Sequence, residues 1–174
     1  MGRGARLRSW LELPVTRGRS VDDPQTTMLR RLIIAGEPSL SGIYRDWCQG
    51  IQEHLPDEAR SVLELGSGGG FLKDMLPTLI TSDVLRIADV DVVAAAERIP
   101  FADASLRAIV MFNVSHHVSD PREFLVEASR CMPAPGVLCM VEPWVRWWSR
   151  RVYAFHSEPF DPEAEIGRPH PEAR

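Results

Sequence analysis

The chain has 174 residues, is 44% hydrophobic and carries a net charge of −4 at pH 7. That is enough apolar content for one domain with its own core, while no apolar run reaches membrane-spanning length and the charge makes no general case for nucleic acid. Three cysteines (Cys48, Cys131, Cys139) lack C-x-x-C spacing and the five histidines form no ligand cluster, so reduced structural thiols and no metal site are expected.

The first residues, Met-Gly-Arg-Gly-Ala-Arg-Leu-Arg, contain no apolar leader, and a cytoplasmic protein is expected. Residues 1–36 hold seven arginines against three acids, with turn formers at Pro14, Gly18 and Asp23-Pro24. They read as a basic arm leading to Thr26–Ile34; without aromatic interleaving a solvated arm is favoured over an RNA or membrane contact. From 39 to 55, Ile43, Trp47, Ile51 and Leu55 recur every four positions with Tyr44 beside them, an amphipathic helix. Its aromatic side chains either pack on a sheet or line a pocket. A domain over 37–156 and a proline-rich tail over 157–174 complete the expected organisation.

Residues 61–71, Ser-Val-Leu-Glu-Leu-Gly-Ser-Gly-Gly-Gly-Phe, combine a short apolar strand with four glycines in five positions. Glycine reaches φ > 0 and has no Cβ, so a ligand can lie directly on such a turn. The spacing excludes two common nucleotide loops. A dinucleotide fingerprint needs its third glycine where Phe71 stands, and a phosphate loop needs Gly-Lys-Ser/Thr, whereas the chain's one lysine is Lys73. Glu64, Gly66, Gly68 and Gly70 instead match acidic-x-Gly-x-Gly-x-Gly, and this resembles the first motif of the class I S-adenosylmethionine-dependent methyltransferases. That ligand carries no phosphate, and an acid at Glu64 suits its ammonium group where it would repel a pyrophosphate.

Leu79-Ile-Thr-Ser-Asp83 is a β-prone run that ends in an acid seventeen residues after Gly66, where a second strand delivers a carboxylate to a ribose diol. Asp89 and Asp91 compete with Asp83 for that role. Val92–Phe101 is similar to the segment that lines the adenine in this family; Ala95 replaces an Asp found in many members, leaving the backbone N–H near Ala96 as a contact. Leu106–Asn113 reads as a buried fourth strand with Val114-Ser-His-His-Val118 at its C-terminal end. Asp120-Pro121 starts a helix carrying Phe124, Leu125, Ala128 and Cys131, Pro133–Gly136 stops it, and Val137–Val141 is a fifth strand closed by Glu142-Pro143.

The alternation implies an α/β fold: a Rossmann-like, doubly wound, mostly parallel sheet of about five strands with flanking helices. The resemblance implies S-adenosylmethionine as cofactor, held by Glu64, Gly66, Ser67, Gly68, Gly70, Asp83, Ala96 and Asn113. The reaction is methyl transfer to an unidentified, small-molecule acceptor, with His116 or His117 as candidate base. The family's last two strands have no counterpart. Trp144–Phe155 reads as an amphipathic aromatic helix, and the fifth strand is expected to be an edge open to self-association. The rival readings are a catalytically impaired methyltransferase-like binding or scaffold protein, and a nicotinamide-dependent oxidoreductase, which conflicts with Phe71 and Glu64.

Overall fold

The computed structural model describes residue 19 and residues 23–143. The tail and the Trp144–Phe155 helix expected from sequence lie outside the described residues. So does most of the basic arm.

Five strands form one sheet: β1 (Ser61–Leu65), β2 (Ile80–Asp83), β3 (Val92–Val93), β4 (Leu106–Phe112) and β5 (Val137–Val141). Their spatial order is β3-β2-β1-β4-β5 and every pairing is parallel, as the alternating sequence implied. A strand covered on both faces needs apolar side chains on both. In β4, Ala108 to Met111 are fully buried in succession, and in β1, Val62 to Leu65 are buried.

The two faces have separate cores. On one, Leu63, Leu65, Ile109 and Met111 meet Phe124, Ala128 and Cys131 of α4 (Pro121–Cys131). On the other, Val62, Ala108 and Val110 meet Cys48 and Ile51 of α2 (Pro38–His54) and Leu72 of α3 (Phe71–Met75). Strand alternation assigns Glu64 to this second face, beside Val62. The helical line expected in α2 is largely kept, but Ile43 is exposed and Cys48 takes the buried position.

Three local features frame the sheet. The last third of the basic arm is a regular helix, α1 (Pro24–Gly36), whose N-cap Asp23 accepts from the Gln25 N–H. The helix after the glycines is a single short turn of five residues. Only eight residues, 84–91, link β2 to β3, without the usual crossover helix. Asp91 staples that link: one carboxylate oxygen accepts from Lys73 Nζ at 2.6 Å and from both Thr81 N and Thr81 Oγ1 at 2.9 Å. These bonds, led by the one from Lys73, hold its carboxyl down at about 2.

At one edge of the sheet β5 is only half covered, with Met140 49% exposed, and among the described residues no strand pairs with its outer side. A groove of about 400 Å³ runs between this strand and α2, lined by Trp47, Ile51, Cys139 and Val141 among others. No helix of the described residues is long and apolar enough to cross a membrane.

Candidate functional site

In an open parallel sheet the ligand cleft opens where neighbouring strands send their connections in opposite directions, at the strands' C-terminal ends. Here that point lies between β1 and β4. The loop after β1 is the glycine turn and the loop after β4 is Asn113–Val118. They touch, since a Cβ on Gly66 would overlap the Val114 side chain.

Gly66, Gly68 and Gly70 have φ of 64°, 46° and 67°, a backbone region that costs other residues about 1–2 kcal/mol. The turn is tied to β2. Ser67 N donates to Ser82 O at 2.8 Å, Ser82 N donates to Ser67 Oγ at 3.1 Å, and Gly68 N donates to Asp83 Oδ2 at 3.2 Å. Of the three acids weighed for the end of β2, Asp83 is therefore the one that meets the glycine turn. Asp91 is committed to the Lys73 and Thr81 staple, and Asp89 sits in a left-handed bend. Asp83 Oδ1 also accepts from Leu85 N, which fixes the carboxylate at the rim of the turn.

Glu64 is 2% exposed, and its Oε2 is buried with no hydrogen-bond partner. Burial pushes its carboxyl up to about 8, a rise opposed by the Ser67 hydroxyl and Lys73 and reinforced by Asp83. A buried carboxyl raised in this way beside a glycine turn marks a candidate functional group. Ala96 is buried in the core just after β3, and Glu97 Oε1 accepts from Ser119 N and Asp120 N, joining that loop to the start of α4.

Asn113 has φ of 54°, a conformation Asn tolerates, and its N–H donates to Val141 O at 2.8 Å. His116 and His117 follow in a short 3₁₀ turn, their rings 4.1 Å apart. His116 Nδ1 lies 2.7 Å from Glu142 Oε2. The other oxygen of Glu142 accepts from Val114 N at 3.0 Å and Ser115 N at 2.8 Å. Burial works to raise the Glu142 carboxyl, but the bonds from His116 and Ser115 outweigh it and the net shift is downward.

Glu142 thus joins the candidate site through its bonds to Val114, Ser115 and His116, a residue that sequence reasoning passed over as the end of a strand. The available signal was an acid closing β5 at the same sheet edge as the histidine pair. Helix α1 was also missed as a neighbour: Thr27 and Arg31 stand over Gly68 and Gly70, with Arg31 bonded to Asp74 at 3.3 Å. Tyr44 packs on Phe71 at 4.7 Å and on Trp47 at 5.2 Å, so the α2 aromatics border the turn by packing. Among the described residues no cluster of His, Cys, Asp or Glu is arranged to hold a metal.

The residues that build this edge coincide with a known domain. Residues 63–140 match the family described as Methyltransferase domain. A comparison with curated proteins finds no match. Among solved structures, a SAM-dependent methyltransferase of Thermotoga maritima is 28% identical, with TM-score 0.48, covering 55% of this chain and 49% of its own. A SAM-dependent methyltransferase from Aquifex aeolicus aligns at TM-score 0.52 and 20% identity over 69% of this chain and 72% of its own. A Methanococcus maripaludis protein assigned as an S-adenosyl-L-methionine-dependent methyltransferase gives TM-score 0.57 and 15% identity over 72% of this chain and 66% of its own. The chain spans about half the length of the Thermotoga protein and about two thirds of the Methanococcus one. The fold is shared with the latter two structures, and the segment 63–140 is similar to the methyltransferase domain family.

Proposed function

We propose that this protein is an S-adenosylmethionine-dependent methyltransferase acting on a small-molecule acceptor. The observation that carries the reading is the unpartnered, buried Oε2 of Glu64 beneath a turn of three left-handed glycines rimmed by Asp83. These groups fit the cofactor's chemistry. Glu64 offers a carboxylate to an ammonium, Asp83 two oxygens to a ribose diol, and Gly66, Ser67, Gly68 and Gly70 a surface without side-chain bulk. In this reading the backbone N–H near Ala96 would meet the adenine in place of the missing acid at Ala95, and Asn113 would close the cleft from the β4 side.

When bound, the cofactor supplies an electrophilic methyl group on a sulfonium. The chain's part is then to align an acceptor with that methyl and exclude water, a contribution that alone accounts for a large share of such rate enhancements. A hydroxyl acceptor also loses a proton, and of His116 and His117 we favour His116 as recipient, because it follows β4 at the sheet's C-terminal edge, solvent reaches its ring and its Nδ1 meets Glu142. His117, its ring tilted against that of His116, lies in the same turn.

Incubation with methyl-labelled S-adenosylmethionine and pools of hydroxyl-, amine- and carbon-nucleophile metabolites tests the activity. Label transferred to one pool is expected, and His116→Ala should lower kcat by roughly 10²–10⁴ for a hydroxyl acceptor while cofactor affinity is kept. Cofactor binding without transfer to any pool would favour the impaired, scaffold-type reading. The half-covered β5 edge also makes a second copy of the chain the expected partner.

A further inference from the structure

The parallel register of the last two strands places Phe112 beside Val141, so the residues that leave β4 and β5 emerge together. One oxygen of Glu142 gathers the successive N–H groups of Val114 and Ser115, which is a complete capping role for a carboxylate. Its second oxygen does something the cap does not require: it meets His116 Nδ1 at 2.7 Å. A carboxylate cannot donate, so the nitrogen facing it must carry the proton.

We propose that Glu142 is the positioning residue of the methyl-transfer site, holding His116 as the Nδ1–H tautomer so that Nε2 presents its lone pair to the acceptor. The inference rests on the reading of His116 as base. In the transfer step, the acceptor oxygen forms its bond to the methyl carbon as the carbon–sulfur bond breaks, and that bond's electron pair stays on sulfur. The acceptor's proton passes to His116 Nε2. The imidazolium then carries its charge beside the Glu142 carboxylate, which offsets it. Among the described residues, the other titratable ring packed against His116 is His117, 4.1 Å away. With the opposite tautomer, Nε2 would point a hydrogen at the acceptor and the same ring could not take its proton.

The test is the tautomer itself. In long-range ¹H–¹⁵N spectra of the labelled full chain, taken about two pH units above the ordinary imidazole pKa of about 6.5, each ring nitrogen reports whether it bears hydrogen. The signals of His116 are assigned by their loss in His116→Gln. Wild type should show a protonated Nδ1 and a bare Nε2. Glu142→Gln keeps a carbonyl oxygen for Val114 and Ser115 but turns an amide NH₂ toward Nδ1, so the tautomer should invert while the near-ultraviolet dichroism stays native.

A bare Nδ1 in wild type overturns the proposal whether or not the variant folds. An unchanged tautomer in folded Glu142→Gln does so as well. Calorimetric titration of the same wild-type sample with S-adenosylmethionine keeps the two ideas apart, because absence of binding there would overturn the methyltransferase reading rather than the role of Glu142.

Discussion

Glu64 dominates the chemistry at the scale of single residues. Its carboxyl is raised from 4.5 to about 8 chiefly by burial. In the folded chain it therefore holds a proton that the unfolded chain has already released, so its contribution to stability is complete below about pH 4.5, the unfolded value, and is lost as pH rises toward 8. Glu64→Gln, a neutral isostere, should raise Tm of the ligand-free protein at pH 8 and leave it almost unchanged at pH 4.5, as read by calorimetric scans. An ammonium placed beside this acid would draw it back to the ionised form. Cofactor binding near pH 7 should then release a proton, seen as a dependence of binding enthalpy on the buffer's ionisation enthalpy and abolished in Glu64→Gln.

The glycines separate structural from ligand-facing positions. A Cβ at Gly68 meets only Thr27 Cγ2 at 3.6 Å and Gly66 O at 3.8 Å, whereas at Gly66 it overlaps Val114. Gly68→Ala should cost about 1–2 kcal/mol for its backbone conformation alone, and Gly66→Ala clearly more, in denaturant unfolding. Asp83→Ala should weaken cofactor binding by about 1.5–3 kcal/mol, while Asp91→Ala should act mainly on stability because its bonds are all internal. The opposite pattern would transfer the ribose contact to Asp91.

At the scale of elements, α4 depends on a short-range signal that was readable in the sequence. Asp120 accepts from Arg122 N at 2.9 Å and Glu123 N at 3.0 Å, with Pro121 at the first helical position. Asp120→Ala should therefore lower stability by about 0.5–2 kcal/mol in urea titration. The strands β1, β2, β4 and β5 were legible for a similar reason: each is a run of apolar or β-branched residues bounded by turn formers. β3 was not, since two residues show no periodicity and its position is set by pairing of Val92 and Val93 with Ser82 and Asp83. The placement of α1 over the glycine turn is likewise a tertiary result, with Thr27 and Arg31 carrying no local mark of it. The pairing of Glu142 with His116 spans twenty-six residues and exists only because β4 and β5 lie side by side.

At the scale of the whole molecule, the described residues give the sheet a built centre and a weakly covered edge at β5. β4 is buried at Leu106 and from Ala108 to Met111, while β5 combines half-buried side chains with Met140 at 49% exposure, and no described strand pairs beyond it. An edge of this kind promotes pairing between chains. Sedimentation velocity over a concentration series should reveal reversible self-association, and Met140→Lys should shift the chain toward monomer, since a charge on an edge strand opposes such pairing. A wild-type chain that stays monomeric at every concentration would remove β5 as an interface.

The proposed cofactor cleft lies in the well-covered part of the sheet, between β1 and β4, so binding there should not depend on what happens at β5. Calorimetric titration of the purified chain with S-adenosylmethionine addresses that directly. Saturable binding is expected, lost in a folded Gly68→Val protein, with no response to NADH. A folded wild-type chain that gives no heat with S-adenosylmethionine, or a folded Gly68→Val protein that binds it as well as wild type, would contradict the assignment.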